Sequence, residues 1–337
     1  MPLFMSSLDY QIHYIMTDHI THMKPSLSAL PDVFTLPLRS VAAISISGEE
    51  QIKYLQGQVT CDVESLVENK LLHGAHCTAK GKVLSCFRLF SHQQALLLLQ
   101  PISTLTQSLT ELQKFGVFAK VDIEQAHVSF AAVCGTQAAN HLNKSFSQVP
   151  DINCPAITEH NITLLYLDGD IPRYVLVGEK ETVNNSIDSL SIPTLSQDVW
   201  SLLEISQGVP NLVESEQEYV PQMLNMQAIH GISFTKGCYL GQETVARMQY
   251  LGRNKKAMFA LTGNCDELST PLVVEKQLGE NWRKAGDVIS YYLADNGELY
   301  VQAVLASDTE DSTNHRLKSP QSCQLSIMAL PYTLENQ

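Results

Sequence analysis

Residues 95–123 read ALLLLQPISTLTQSLTELQKFGVFAKVDI, and three hydrophobic patterns follow one another within them. Ala95 to Leu99 is an unbroken apolar run with the length of a buried strand. From Thr104 to Phe115 the residues Leu105, Leu109 and Leu112 return to one face, as in an amphipathic helix. Val117, Ala119, Val121 and Ile123 then share one side of an alternating segment, the period of a second strand. The stretch therefore predicts a β-α-β unit.

The same reading extends outward on the C-terminal side. Val128 to Val133 reads as a strand and Gln137 to Phe146 as a helix. Strands at Ile162 to Leu167 and Tyr174 to Gly178 come next, followed by a helix with Val183, Ile187 and Leu190 on one face. The order β-α-β-β-α predicts an α+β fold with a split, ferredoxin-like subdomain instead of a doubly wound parallel sheet. After Gly252 short strand candidates take over, at Ala257 to Leu261, Leu272 to Glu275, Val288 to Leu293, Leu299 to Leu305 and Gln324 to Ala329. Asp295-Asn296-Gly297 is a hairpin turn, because Asn and Gly tolerate positive φ. Short strands with few helices imply a small C-terminal β-barrel. The expected organisation is a loose, disordered N-terminal arm over 1–36, an α+β region over 37–251 and the barrel over 252–337. Met23 is a second candidate for the natural start, which N-terminal mass analysis would decide.

At 337 residues, 44% apolar and 17% charged, the chain can bury a sizeable core and form two or three domains. Met1 to Met23 lacks the basic start and apolar centre of a secretory signal. No apolar run approaches the ~20 residues that a spanning helix needs. Eight cysteines are scattered without a C-x-x-C pair, which suggests neither a zinc ribbon nor a disulfide scaffold and fits a reducing cytoplasm. His73, His76 and Cys77 are the nearest thing to a ligand cluster, but zinc sites draw four ligands from paired motifs, so no metal is expected. The formal charge of −13 disfavours indiscriminate binding to nucleic acid. One segment has the opposite sign: Lys236, Arg247, Arg253, Lys255 and Lys256 against Glu243.

Within that segment Cys238 is bracketed by Gly237 and Gly241, and Glu243 and Arg247 fall one helical turn apart. Lys236 and a helix N-terminus nearby would favour the thiolate of Cys238. Spacing alone leaves two readings open, a reactive thiol or a small buried hydrophobe. Trp200, in the helix-like run Val199 to Ser206, reads by itself first as a core residue, with a ring that stacks on a ligand as the other reading.

The run Lys236-Gly237-Cys238-Tyr239-Leu240-Gly241-Gln242-Glu243, followed by Val245-Ala246-Arg247, resembles the K-G-C-[YF]-x-G-Q-E-x-V-A-R signature of the YgfZ family. Gln56-Gly57-Gln58-Val59-Thr60-Cys61-Asp62 and Cys77-Thr78-Ala79-Lys80-Gly81-Lys82 are similar to that family's Q-G-Q-x-T-x-D and C-x-x-K-G-[KR] motifs. The resemblance continues through Val220-Pro221-Gln222 to Leu330-Pro331-Tyr332. It implies a cytoplasmic, tetrahydrofolate-binding accessory protein for iron–sulfur proteins, including those that modify tRNA. It further implies an architecture related to the glycine-cleavage aminomethyltransferases, with a folate-binding α+β region followed by a barrel. Under it Trp200 holds the folate, Cys238 lies near the pocket mouth as a reactive thiol, and Lys236 raises its thiolate character. Gly237, Tyr239, Gly241, Gln242, Glu243 and Arg247 complete the motif. Val41 stands where some relatives carry a second pocket tryptophan. Aminomethyltransferases place acidic residues after a Gly-Gly turn, whereas Lys80-Gly81-Lys82-Val83-Leu84-Ser85 has none, so aminomethyl transfer is not expected. A folate-dependent one-carbon transferase is the alternative. Asp62 is the remaining nearby acid, and a turn or cap role accounts for it equally well.

Overall fold

The computed structural model describes residues 22–67, 69–212, 218–250, 252, 254–268, 271–318 and 323–334. In chain order its strands are β1 (Phe34–Pro37), β2 (Val41–Ser47), β3 (Leu72–Cys77), β4 (Val83–His92), β5 (Ala95–Pro101), β6 (Asp122–Gln125), β7 (Ser129–Cys134), β8 (Ala156–Glu159), β9 (Ile162–Leu167) and β10 (Arg173–Gly178). The barrel strands are β11 (Lys256–Asn264), β12 (Val273–Leu278), β13 (Asn281–Leu293), β14 (Glu298–Ala306), β15 (His315–Leu317) and β16 (Cys323–Met328). The helices are α1 (Gln51–Gln56), α2 (Ile102–Gly116), α3 (Ala138–Leu142), α4 (Lys180–Leu190), α5 (Val199–Ser206) and α6 (Gln242–Tyr250).

Two five-stranded antiparallel sheets form the α+β region, in the orders β3-β4-β5-β2-β6 and β1-β7-β10-β9-β8. β5 and β6 both run antiparallel to β2, which lies between them, so they are parallel to each other and joined by α2. That is the split β-α-β arrangement the sequence predicts. The first sheet covers one apolar face with α1 and α2, through Ile44, Ile46, Leu55, Leu105 and Leu112. The second covers its outer face with α3 and α4, through Leu142, Leu176 and Val183. The remaining faces meet at a central core with α5 and part of the barrel, where Phe34, Phe90, Leu165, Val175, Trp200 and Tyr292 pack together. The barrel is closed, in the order β11-β14-β13-β12-β15-β16.

Several expectations need correction. Residues 1–21 of the expected arm lie outside the described residues, but the chain from His22 onward is packed. Tyr292 Oη donates to the Pro25 carbonyl at 2.8 Å, the Leu27 amide donates to Tyr300 Oη at 3.1 Å, and Phe34 and Leu36 are fully buried in β1. The scattered Pro and Ser residues mark a strap whose backbone is satisfied by barrel tyrosines. The expected strand over Val117 to Ile123 shrinks to Asp122–Gln125, because the chain turns after Gly116 and leaves Phe118 94% exposed. The helix expected over Gln137 to Phe146 is helical only over Ala138–Leu142. The barrel has a sixth strand, His315–Leu317, too short to show a period. At the β13–β14 hairpin only Gly297 takes positive φ, at +84°. One disulfide is present, Cys265–Cys323, which no motif announces because it depends on strand register.

Candidate functional site

The three motifs that carry the family resemblance are far apart in sequence and meet at one end of β3. Thr60 is fully buried at the centre: its hydroxyl donates to the Gly231 carbonyl at 2.5 Å and accepts from the Ala75 amide at 2.8 Å, while its carbonyl accepts from the Ser233 amide at 2.9 Å. Leu240 N–H donates to the Gly57 carbonyl at 3.0 Å. Asp62 Oδ1 accepts from Gln56 Nε2 at 2.8 Å, and Gln56 Oε1 accepts from the Val63 amide at 2.7 Å, so this acid closes a turn. The third motif docks by its backbone. Gly241, at φ +83°, would set a Cβ 2.5 Å from the Thr78 carbonyl oxygen, and Gly81, at φ +73°, would set one 2.7 Å from Thr244 Cβ. The two glycine turns are interlocked at a distance that only glycine permits.

Lys236 fastens this assembly. Its Nζ donates to the carbonyls of Val59 at 2.9 Å and Cys61 at 2.7 Å, and lies 5.2 Å from the Tyr239 ring centroid. The ammonium expected to polarise Cys238 therefore serves as a tie between two motifs. Burial pushes Lys236 down to about 8, opposed by the negative groups of Asp62 and Glu64. With the folded value below the unfolded 10.5, the unfolded chain binds more protons between the two, so stability rises with pH across that window. Urea unfolding of the wild type and Lys236→Met at pH 7.5, 9 and 10.5 should show their difference moving in favour of the wild type as pH rises. A flat difference would mean that the ammonium is as well solvated as in the unfolded chain.

Cys238 is the exposed free thiol among the described residues, whereas Cys61, Cys77, Cys86 and Cys134 are buried. Burial pushes the thiols of Cys61, Cys86 and Cys134 up to about 12, and Cys77 in the same direction. The reading of Cys238 as a small buried hydrophobe is thereby removed. Gly237 does not have the conformational role expected for it, since a Cβ there would meet nothing within 4 Å and its φ is not positive. Tyr239 is buried and Gln242 opens α6. Arg247 pairs with Glu243 at 2.5 Å. Within the basic segment Arg247 is thus neutralised by Glu243 and Lys236 is held by backbone carbonyls, while Arg253 lies outside the described residues.

The second element of the site is a cleft walled by Trp200 and Glu204 of α5, His73, Cys86 and Arg88 of β3 and β4, Gln100 at the end of β5, and the loop residues Pro210, Asn211, Met226 and Ile229. Its cavity volume is only about 20 Å³, so it is a narrow slot. Val41 lies in this wall, at the position that the resemblance connects with a second tryptophan. Cys238 and Lys236 are not among the lining residues. The loop that lines the cleft with Met226 and Ile229 is, however, the one that continues into the Cys238 motif.

Beneath the slot lies a buried charge cluster. Arg88 Nη2 donates to Glu204 Oε1 at 2.8 Å and Oε2 at 3.0 Å, and Arg173 Nη1 donates to the same Oε1. The Arg173 and Arg88 guanidinium carbons sit 5.2 and 5.8 Å from the Trp200 ring centroid. Burial, then Arg88 and Arg173, push His73 down to about 3, so it is neutral at physiological pH. Two guanidiniums against one carboxylate leave the cluster net positive. Neither polar atom of the Gln100 amide, 2% exposed, has a hydrogen-bond partner, and the same holds for Arg88 Nε. Glu204 Oε2 accepts one bond and retains a free lone pair. Unmet groups of both kinds thus face a slot beside an aromatic ring.

Sequence reasoning found Trp200 here but missed Glu204, Arg88, Arg173 and Gln100. The available signal was a single charge in an otherwise apolar run, in V-W-S-L-L-E-I-S and C-F-R-L-F, since charges are rarely buried unless paired. His73 and His76, weighed together as metal ligands, are an odd number of residues apart on β3 and face opposite ways. His76 instead bonds Ser108 Oγ at 2.9 Å through Nδ1.

Two split α+β sheets closed by a six-stranded barrel define the class, the aminomethyltransferase fold. The chain superimposes on the glycine cleavage system aminomethyltransferase T from Bartonella henselae with a TM-score of 0.67 and 10% identity, over 95% of this chain and 90% of that one. Within that class the chain belongs to the YgfZ family. The family profile described as "YgfZ, beta-barrel domain" matches residues 254–320. A relative named tRNA-modifying protein YgfZ from Colwellia psychrerythraea is 52% identical over 322 residues, covering 95% of this chain and 99% of the relative. One of the same name from Yersinia enterocolitica is 37% identical over 300 residues, covering 87% and 90%.

Proposed function

We propose that the Trp200 cleft holds the pteridine of a tetrahydrofolate. On this reading the protein acts in the cytoplasm as an accessory factor for iron–sulfur proteins, including enzymes that modify tRNA. The observation that carries the reading is the set of unmet groups in the slot. A pteridine presents N–H donors next to a carbonyl acceptor. Glu204 Oε2 has a lone pair for such a donor, while Arg88 Nε and the Gln100 amide have donors for the carbonyl. Trp200 supplies the flat apolar wall, and the net positive cluster favours an electron-rich ring. The slot is too narrow for such a ring as it stands, so entry requires its side chains to part.

When bound, a tetrahydrofolate supplies a nitrogen that carries one-carbon units. The chain's own contribution is to bind and orient it, while Cys238 offers an exposed thiol on the segment that continues from the cleft wall. The turn at residues 78–82 bears Lys80 and Lys82 and no carboxylate, and Asp62 is held by Gln56, so neither supplies an acid for aminomethyl transfer. Titration of the anaerobic protein with tetrahydrofolate should quench Trp fluorescence saturably. Gln100→Leu should weaken binding about tenfold, the worth of one lost buried hydrogen-bonding partner. Trp200→Phe should remove most of the signal and leave that of Trp282, which is covered by Arg316 in the barrel. A folded wild type that shows no saturable change would overturn the proposal. Turnover of a folate-linked amine by the pure protein would favour the transferase alternative.

A further inference from the structure

The Cys265–Cys323 pair sits where the barrel closes. β11 and β16 are neighbours, with Thr262 opposite Ser326 and Gly263 opposite Leu325. Continuing that register by two residues sets Cys265 opposite Cys323, and the two are joined with their Cα atoms 5.4 Å apart across 58 residues of chain. This seam is thinly held otherwise. β16 faces β11 over four residue pairs and β15 over three, whereas β11 faces β14 over nine.

From the end of β16 the chain returns to the cleft. Met328 and Leu330 pack on the central core, and Tyr332 Oη donates to the Gly208 carbonyl at 2.5 Å and accepts from Asn225 Nδ2 at 3.2 Å. Gly208 directly precedes Val209, Pro210 and Asn211, and Asn225 precedes Met226, all of them in the cleft wall. A single covalent bond at the seam therefore anchors the strand whose extension braces that wall.

We propose that Cys265 and Cys323 are a reversible redox pair that staples the barrel seam and, through β16, sets how firmly the Leu330–Tyr332 segment braces the cleft. In the forward step the two thiols give two electrons and two protons to hydrogen peroxide, forming the S–S bond and two waters. In reverse, a small thiol attacks the disulfide, and a second equivalent releases both cysteines as thiols while the reductant leaves as its own disulfide. Both cysteines are 4% exposed, so exchange passes through opening of the seam. A disulfide that responds to the redox state suits a reducing compartment better than a permanent one. The proposal does not depend on folate binding.

The test compares the full-length protein after hydrogen peroxide and after dithiothreitol. Non-reducing peptide mass spectrometry should find the Cys265–Cys323 cross-link only in the first sample. The oxidised protein should melt about 5 °C higher, as expected when a long loop is closed, and amides of residues 325–332 should exchange more slowly. Cys265→Ser/Cys323→Ser should abolish both differences. No cross-link, an equal shift in the double variant, or unchanged exchange at 325–332 would overturn the proposal. The wild-type comparison needs no substitution, so it stands even if the double variant fails to fold.

Discussion

Replacing Glu204 by Gln is expected to destabilise the protein by about 3–5 kcal/mol, the usual cost of breaking one side of a buried ion pair. Glu204 is 2% exposed and is the carboxylate that both Arg88 and Arg173 share, with Arg173 itself 1% exposed. The neutral amide keeps the shape and leaves two guanidiniums facing each other beneath Trp200 without a counter-charge. Urea unfolding monitored by far-UV circular dichroism reads the loss. Adding Arg173→Met to Glu204→Gln should recover part of it, because one uncompensated charge is removed, and the double-mutant cycle should show positive coupling. A loss below about 1 kcal/mol, in the range of an exposed pair, would show that water reaches the cluster and that it is not the buried floor of the slot.

Gly241→Ala is expected to cost about 2–4 kcal/mol, combining a left-handed backbone penalty with a clash that backbone atoms cannot relieve cheaply. Its Cβ would lie 2.5 Å from the Thr78 oxygen and 2.9 Å from Gly81 Cα, so the interlocked turns must separate. Gly237→Ala, four residues earlier in the same motif, should change stability by less than about 0.5 kcal/mol, because nothing lies within 4 Å of the added carbon. The pair is thus its own control. Chemical denaturation of the two variants reads the contrast, and equal losses would mean that the glycines act through chain flexibility instead of a close contact.

Much of the fold was legible because it rests on local periodicity. The helix at Ile102–Gly116, the strands at Ile162–Leu167 and Arg173–Gly178, and the barrel hairpin at Gly297 all follow from patterns within a dozen residues. The misreadings have physical causes. Val117 to Val121 carries strand-like alternation, but after α2 the chain turns outward and no neighbouring strand reaches it. Phe34–Pro37 is too short for a pattern and becomes a strand because β7 offers an edge. Cys238 and Trp200 were singled out through the family resemblance, and of the two only Trp200 lines the cleft, whereas Glu204, Arg88 and Gln100 could not be grouped from sequence. They sit on three different elements and are brought together only by the packing of α5 against the first sheet.

What the sequence by itself determined is the alternation of strands and helices, the all-strand C-terminal portion, and the identity of the glycines and the thiol in the K-G-C-Y-L-G-Q-E run. Only the tertiary structure decided that Gly241 and Gly81 interlock, that Lys236 ties carbonyls of another motif, that Cys265 faces Cys323, and that one carboxylate serves two arginines beneath Trp200. The reason is one of range. Periodicity and turn preference are written within a few residues, whereas burial, register and charge pairing join groups scores of residues apart, and their energies exist only once the sheets and barrel have closed on one another.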